Sequence, residues 1–173
     1  MQPWWTEFLE ALRQPEYVHV LLHPLPIYGL AAGVFSLAAA FVGRSRSGQA
    51  IALLLIALSA AAAWPVAHFG HAAYDRVFAM SNGDAQKWLN WHKHLAERIV
   101  WSFYATAVLA TTALGGQWKN PRLHRIALPL TLVAAVVALG LSGFLAFVGG
   151  KIRHSEFRHG SPPAWADTAP DQD

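Results

Sequence analysis

The sequence predicts an all-α integral membrane protein, an antiparallel four-helix bundle with a short N-terminal interfacial helix. Of its 173 residues, 54% are hydrophobic and only 13% are charged, whereas a soluble domain carries about 25% charged residues. Four stretches lack Asp, Glu, Lys and Arg over the roughly 20 residues that a membrane helix requires. They are residues 22–43, 49–70, 99–116 and 126–149. Helices are expected because backbone groups in hydrocarbon must find partners within their own segment.

The order of these stretches predicts the topology. Connections after the first and third stretch are short, so consecutive spans should run up and down as neighbours. Pro24 and Pro26 suit the start of the first helix, and Pro65 should bend the second helix just before His68. Asn82-Gly83 marks a turn, with Asp84 as the predicted N-cap of the third helix.

The regions flanking the spans complete the predicted organisation. Trp5, Phe8, Leu9 and Leu12 follow helical spacing, which predicts that residues 1–21 form an amphipathic segment in the membrane interface. Residues 22–160 would form the bundle. Residues 161–173 are polar and proline-rich, as in an unstructured tail.

Charge placement predicts the orientation. The short turns carry five cations and no acid, and all ten acidic residues lie on the other side. The cations are Arg44, Arg46, Lys119, Arg122 and Arg125. The positive-inside rule therefore places these turns in the cytoplasm and both termini outside it. No basic block with interleaved aromatic residues is present, so nucleic acid is not an expected partner.

Eight of the nine histidines belong to the predicted non-cytoplasmic side. One interpretation is structural, with imidazoles hydrogen-bonded to headgroups or backbone. The other is a cofactor site, because converging imidazoles ligate haem iron or a transition metal. Helical spacing puts His68, His71 and Asp75 on one face. On the third helix it aligns His94 with Glu97 and Arg98, which favours His94 over His92 as the inward residue.

The predicted ligands for haem b come from all four spans. They are His23, either His68 or His71, His94, and His154. Asp75, Glu97 and Arg98 are the predicted residues that orient them. The alternative for Glu97 and Arg98 is an ion pair that locks the bundle. A zinc or iron ion is the alternative, held by His23, His71, His94 and His154, and a third possibility is no cofactor. The chain has no Cys and two Met, which disfavours Cu(I).

Four segments carry a resemblance to a known family. They are HPLPIYG (23–29), AHFGHAAYD (67–75), the His92/His94 pair and GGKIRHSEFRHG (149–160). Over about residues 18–160 the chain resembles the uncharacterised bacterial four-helix membrane family known as domain of unknown function 2231. The resemblance implies His23, Asp75, one of His92 or His94, and His154 or His159 as site residues. His68 and His71 depart from the family pattern.

The resemblance also implies a setting. The family's domain is sometimes fused to Rieske or c-type cytochrome modules, which implies redox work on the non-cytoplasmic side of a bacterial inner membrane. The expected function is electron transfer, with a c-type cytochrome, a Rieske protein or a quinol as partner. The alternatives are a non-catalytic accessory or scaffold subunit of a larger membrane complex, and a small transporter. A stand-alone enzyme is not expected, because no nucleophile–base pair or paired catalytic carboxylates are evident.

Overall fold

The computed structural model describes residues 3–167, in which the chain is helical and contains no β-strand. Seven α-helices are followed by two short 3-10 helices. They are α1 (Trp4–Ala11), α2 (Pro15–Leu22), α3 (Pro24–Val42), α4 (Arg46–Ala61), α5 (Ala63–Met80), α6 (Gly83–Lys119), α7 (Pro121–Arg153), and the 3-10 helices Ser155–Phe157 and Ala164–Asp167.

Four helical segments of the described chain are long and apolar enough to cross a membrane. They are Pro15–Val42, Arg46–Met80, Gly83–Lys119 and Pro121–Arg153. Each contains one of the predicted apolar stretches, so the prediction of four spans is confirmed at this level. Large apolar side chains lie exposed on the outer surface of these helices. Phe35 and Trp101, for example, are 76% and 69% exposed. Such a surface indicates a membrane protein, because it suits lipid better than water.

The long helices form a closed ring of contacts. α3 packs on α4, α4 on α6, α6 on α7, and α7 on α3. Leu37, Leu53, Ile56, Ala110 and Ala135 are buried between them. At one end, α2 packs on α5 and α5 packs on α6. The first two spans therefore consist of two helices each. Their end segments, α2 and α5, pack on each other at one end of the helix assembly.

Prolines explain both interruptions. His23 separates α2 from α3, which starts at Pro24. His23 itself keeps helical dihedral angles, and the interruption follows because Pro24 has no N–H to donate to the preceding turn. Ala62 separates α4 from α5. Pro65 cannot donate to the carbonyl of the residue four positions earlier, so the interruption precedes it. The sequence predicted a bend caused by Pro65 just before His68. The interruption instead lies at Ala62, on the other side of Pro65.

Small residues bring α3 close to α4. A Cβ on Gly33 would lie 2.5 Å from Ile56 Cγ1, and a Cβ on Gly29 would overlap the side chain of Ser59. Close packing of helices in membranes commonly depends on such residues. By contrast, a Cβ built on Gly140 or Gly143 would face open space.

Several boundaries differ from the prediction. The N-cap of α6 is Asn82 rather than Asp84, with its side chain accepting from Ala85 N at 2.9 Å. Within the predicted segment 1–21 the structure has two helices, α1 and the larger part of α2, and α2 packs on α5.

The predicted unstructured tail is also corrected in part. Within it, the 3-10 helix Ala164–Asp167 packs on α6, and Ala166 is buried. Residues 168–173 of that predicted tail lie outside the described residues.

Candidate functional site

Most of the histidines proposed as ligands lie on the surface. His68, His71, His94 and His154 are exposed. His68 stacks on Trp64, with ring centroids 5.6 Å apart. His154 Nδ1 lies 3.0 Å from Glu156 Oε1, and the Glu156 backbone N–H together with His154 holds the pKa of that carboxyl below its ordinary value. The structure therefore does not bring these four residues together.

The inward placement predicted for His94 is wrong. Its side chain is 51% exposed, with Nδ1 3.6 Å from Glu97 Oε2. Glu97 and Arg98 are exposed too. This part of α6 precedes the apolar stretch, so these charged groups reach polar surroundings without entering the helix assembly. The tendency of charged residues to face the interior applies within hydrocarbon and not here.

His92 is the inward histidine of α6. Its Nδ1 atom is buried and has no hydrogen-bond partner in the described chain. The ring lies against α7, where a Cβ on Gly149 would be 3.0 Å from His92 Cε1, and it interacts with the Leu145 backbone. Buried polar atoms without a partner are uncommon in native proteins. Among the described residues this nitrogen shares that property with Glu16 Oε2 and Gln117 Oε1.

His19 belongs to α2, and its ring lies against α5. Its Nδ1 is 2.8 Å from the Val66 carbonyl oxygen. A carbonyl can only accept, so Nδ1 carries the hydrogen and Nε2 of the neutral ring keeps its lone pair. Histidines that bind metals are commonly oriented by such a bond. A Cβ on Gly70 would lie 2.8 Å from the His19 ring, so the glycine provides the room that this ring needs.

Three imidazoles form what we call the imidazole cluster, composed of His19, His23 and His92. The rings of His19 and His23 are 6.4 Å apart between centroids. Both are electrostatic neighbours of His92. All four spans contribute, because Gly70 of the second and Gly149 of the fourth pack against the rings. Of these histidines, only His23 was among the residues favoured from the sequence.

A conventional metal site is not formed. Among residues 3–167, no group of three or more His, Asp or Glu side chains is placed to hold a metal ion. The zinc or iron site predicted from His23, His71, His94 and His154 is therefore not supported. A pair of imidazoles remains sufficient for haem, because the porphyrin supplies the other iron ligands.

Hydroxyl groups near the middle of the spans are satisfied locally. Thr106 and Thr131 are fully buried. Their hydroxyls donate to carbonyls of their own helices, at Ser102 and Ala127, over 2.7 Å each. These groups are therefore not a polar pathway across the assembly.

No protein-family model, curated protein sequence or solved structure matched the chain.

Proposed function

We propose that this protein is a membrane-embedded electron-transfer component that binds haem b between His19 and His92. The buried Nδ1 of His92, which has no hydrogen-bond partner among the described residues, carries the proposal. The imidazoles of His19 and His23 act on His92 electrostatically. Buried imidazole nitrogens are usually bound by a hydrogen bond or a metal. Among the described residues Nδ1 of His92 has no hydrogen-bond partner, and the ring's other polar contact is with the Leu145 backbone.

The residues present fit the chemistry of haem b. His19 is held by the Val66 carbonyl, which leaves its Nε2 lone pair available to iron. The chain contains no Cys, so the imidazoles of His19 and His92 are the side chains that would hold the iron. His23, close to His19, would be a neighbour of the iron centre rather than a required ligand.

The protein's contribution would be orientation and exclusion of water. Haem b, when bound, supplies a one-electron redox couple. Gly70 and Gly149 fix the positions of the two imidazoles through close contact, and the apolar core formed by residues such as Leu37 and Ile56 closes the assembly below them. A low-dielectric surrounding and fixed ligands are the means by which a protein tunes such a centre.

The membrane setting follows from the same proposal. The four spans would cross a bacterial inner membrane as an antiparallel bundle, with α1 lying in the interface. The turns with Arg44, Arg46 and Arg122 would be cytoplasmic. The imidazole cluster would then lie near the opposite face, where a c-type cytochrome, a Rieske protein or a quinol could exchange electrons.

Absorption spectroscopy of the detergent-purified protein tests the function. We expect a Soret band, with sharp α and β bands after reduction by dithionite. His92→Ala and His19→Ala should remove or strongly weaken these bands. The matched control is His94→Ala, which changes an exposed histidine two residues away on the same helix and should leave the spectrum intact. His23→Ala should have a smaller effect than His19→Ala.

A colourless protein would refute the haem proposal. If added haem also fails to bind, the accessory-subunit interpretation replaces it. Equal loss of the bands in His92→Ala and His94→Ala would contradict the assigned ligands. The transporter interpretation is the weaker alternative, because buried Thr106 and Thr131 bond to their own helices.

A further inference from the structure

An open groove lies between the start of α4 and the end of α6, at the end of the helix assembly that carries the two short turns. Its volume is about 340 Å³, and it is lined by Arg46, Ser47, Ala50, Ile51, Gln117 and Trp118. The side-chain amide of Gln117 donates to the Arg46 carbonyl at 2.8 Å, which ties the two helices together beside the groove. The groove therefore belongs to two packed spans rather than to a single loop.

The lining of the groove changes from polar to apolar along α4. Arg46 and Ser47 begin this helix, and Ala50 and Ile51 follow them by four residues each, which is about one helical turn. The cation and the hydroxyl therefore lie toward the end of the helix, and the apolar side chains lie toward the middle of the span. A ligand that matches this order has a polar head and a hydrocarbon part.

The polar part of the groove lies in a region of positive charge. The two short turns contain five cations and no acid, the cations being Arg44, Arg46, Lys119, Arg122 and Arg125. Among residues 3–167, no carboxylate pairs with any of these cations. Basic groups beside membrane helices attract anionic headgroups. A choline or ethanolamine headgroup would bring its own ammonium close to these cations, so the charge favours a headgroup with a net negative charge.

The apolar part of the groove distinguishes a lipid from a free phosphate ion. Ile51 and Trp118 line the groove and are each 68% exposed. An inorganic ion would leave both side chains uncovered, whereas an acyl chain would cover them. Tryptophan is also enriched at headgroup level in membrane proteins, because its ring is apolar and its N–H is polar. The lining therefore fits an amphiphile.

We propose that this groove binds an anionic phospholipid. The Arg46 guanidinium and the Ser47 hydroxyl are the donors for its phosphate, since a guanidinium binds phosphate oxygens through two parallel hydrogen bonds. Ile51 and Trp118 contact the first part of an acyl chain. The proposal is independent of haem, because it uses no residue of the imidazole cluster.

Native mass spectrometry of the full chain in a neutral detergent tests the proposal. The delipidated protein is titrated with phosphatidylglycerol or with phosphatidylcholine of the same acyl chains, and the affinity of the first bound lipid is measured. We expect phosphatidylglycerol to bind about fivefold more tightly, the upper range for an exposed charge pair. Arg46→Gln should remove most of this preference. The matched control is Arg125→Gln, which removes an exposed cation outside the groove and should keep the preference.

Trp118→Ala tests the apolar part of the groove. It should weaken the binding of both lipids, because the acyl chain loses part of its contact surface. Trp101→Ala is the matched control, since Trp101 lies on the same helix, is 69% exposed and does not line the groove. Inorganic phosphate, added in excess to the phosphatidylglycerol titration, should not displace the lipid.

Four results would overturn the proposal. Equal binding of the two lipids by the wild type would show that charge does not select the ligand, and this comparison requires no variant to fold. An equal loss of preference in Arg46→Gln and Arg125→Gln would show that the cations act together and that the groove is not the site. Equal effects of Trp118→Ala and Trp101→Ala would exclude the acyl-chain contact. Displacement by inorganic phosphate would identify the ligand as a free phosphate ion.

Discussion

At the residue scale, each of two imidazoles of the cluster lies against a glycine of a neighbouring helix. Gly70 of α5 meets His19, and Gly149 of α7 meets His92. A glycine inside a helix costs roughly 1 kcal/mol relative to alanine. Its presence at both contacts is explained by the space that the rings occupy.

Gly70→Ala tests this explanation. The new Cβ would lie 2.8 Å from the His19 ring, so the ring must move and its bond to the Val66 carbonyl should weaken. Overpacking of this kind costs about 1–3 kcal/mol, which should exceed the gain in helix propensity. We expect a lower temperature of thermal unfolding in detergent.

Gly140→Ala is the matched control for Gly70→Ala. It makes the same change inside a helix, at a position where the new Cβ would face open space. It should be neutral or raise stability by up to about 1 kcal/mol. Equal effects of the two substitutions would show that the close approach to His19 has no energetic consequence.

The cluster was partly accessible from the sequence. His19 and His23 continue the inward stripe of α3, formed by Pro26, Leu30 and Gly33, at spacings of three and four residues. On α6, the inward face of Ile99 and Phe103 extends back by the same spacing to His92. Extending these apolar stripes would have identified His19 and His92, in addition to His23. The charges at Glu97 and Arg98 favoured His94 instead, because their exposed surroundings could not be known.

At the element scale, the C-terminal segment is fastened to α6 by a buried amide. Tyr74 donates its hydroxyl to Asn90 Oδ1, and Asn90 Nδ2 donates to the Ala166 carbonyl at 3.1 Å. Trp165 adds an edge contact with the His94 ring, at 5.2 Å between centroids. These contacts order a segment whose polar, proline-rich composition predicted disorder.

Asn90→Ala should release this segment. The substitution leaves the Tyr74 hydroxyl and the Ala166 carbonyl without their present partner, a loss of about 1–3 kcal/mol for buried groups. We expect faster hydrogen exchange across residues 158–167 and faster proteolysis after Arg158. Tyr74→Phe keeps the bond from Asn90 to Ala166 and should have a smaller effect. Unchanged exchange in Asn90→Ala would show that other contacts hold the segment.

Hydropathy was sufficient to predict the four spans and insufficient to predict their interruptions. The span signal is strong because each stretch must avoid charge over its whole length. The position of a proline-induced break depends on which carbonyl loses its partner. The sequence analysis predicted the break just before His68, whereas the helix is interrupted at Ala62. The fastening of the C-terminal segment depends on Asn90, which is distant from it in sequence and leaves no periodic pattern.

At the scale of the whole molecule, the two ends of the helix assembly differ in chemistry. One end carries Arg44, Arg46 and Lys119 around short turns, with Gln117 Nε2 donating to the Arg46 carbonyl at 2.8 Å. The other end contains the imidazole cluster, the buried Lys151 and the fastened C-terminal segment. A centre placed near one end cannot by itself conduct electrons across the membrane. Under the proposed function, the redox partner is therefore expected on the same side as the imidazole cluster.

The orientation of the chain decides which compartment contains that partner. Because the basic turns should remain in the cytoplasm, both termini are expected on the opposite side. A reporter enzyme that works only outside the cytoplasm, fused to the C-terminus, should be active. The same reporter inserted after Arg44 is the control and should be inactive. Since the turn residues carry five cations and no acid, replacing Arg44, Arg46 and Arg122 with Gln should weaken the preference and give mixed activity. If the C-terminal fusion is active only with a cytoplasmic reporter, the imidazole cluster faces the cytoplasm, and its partner must be a cytoplasmic protein or a quinol on that side.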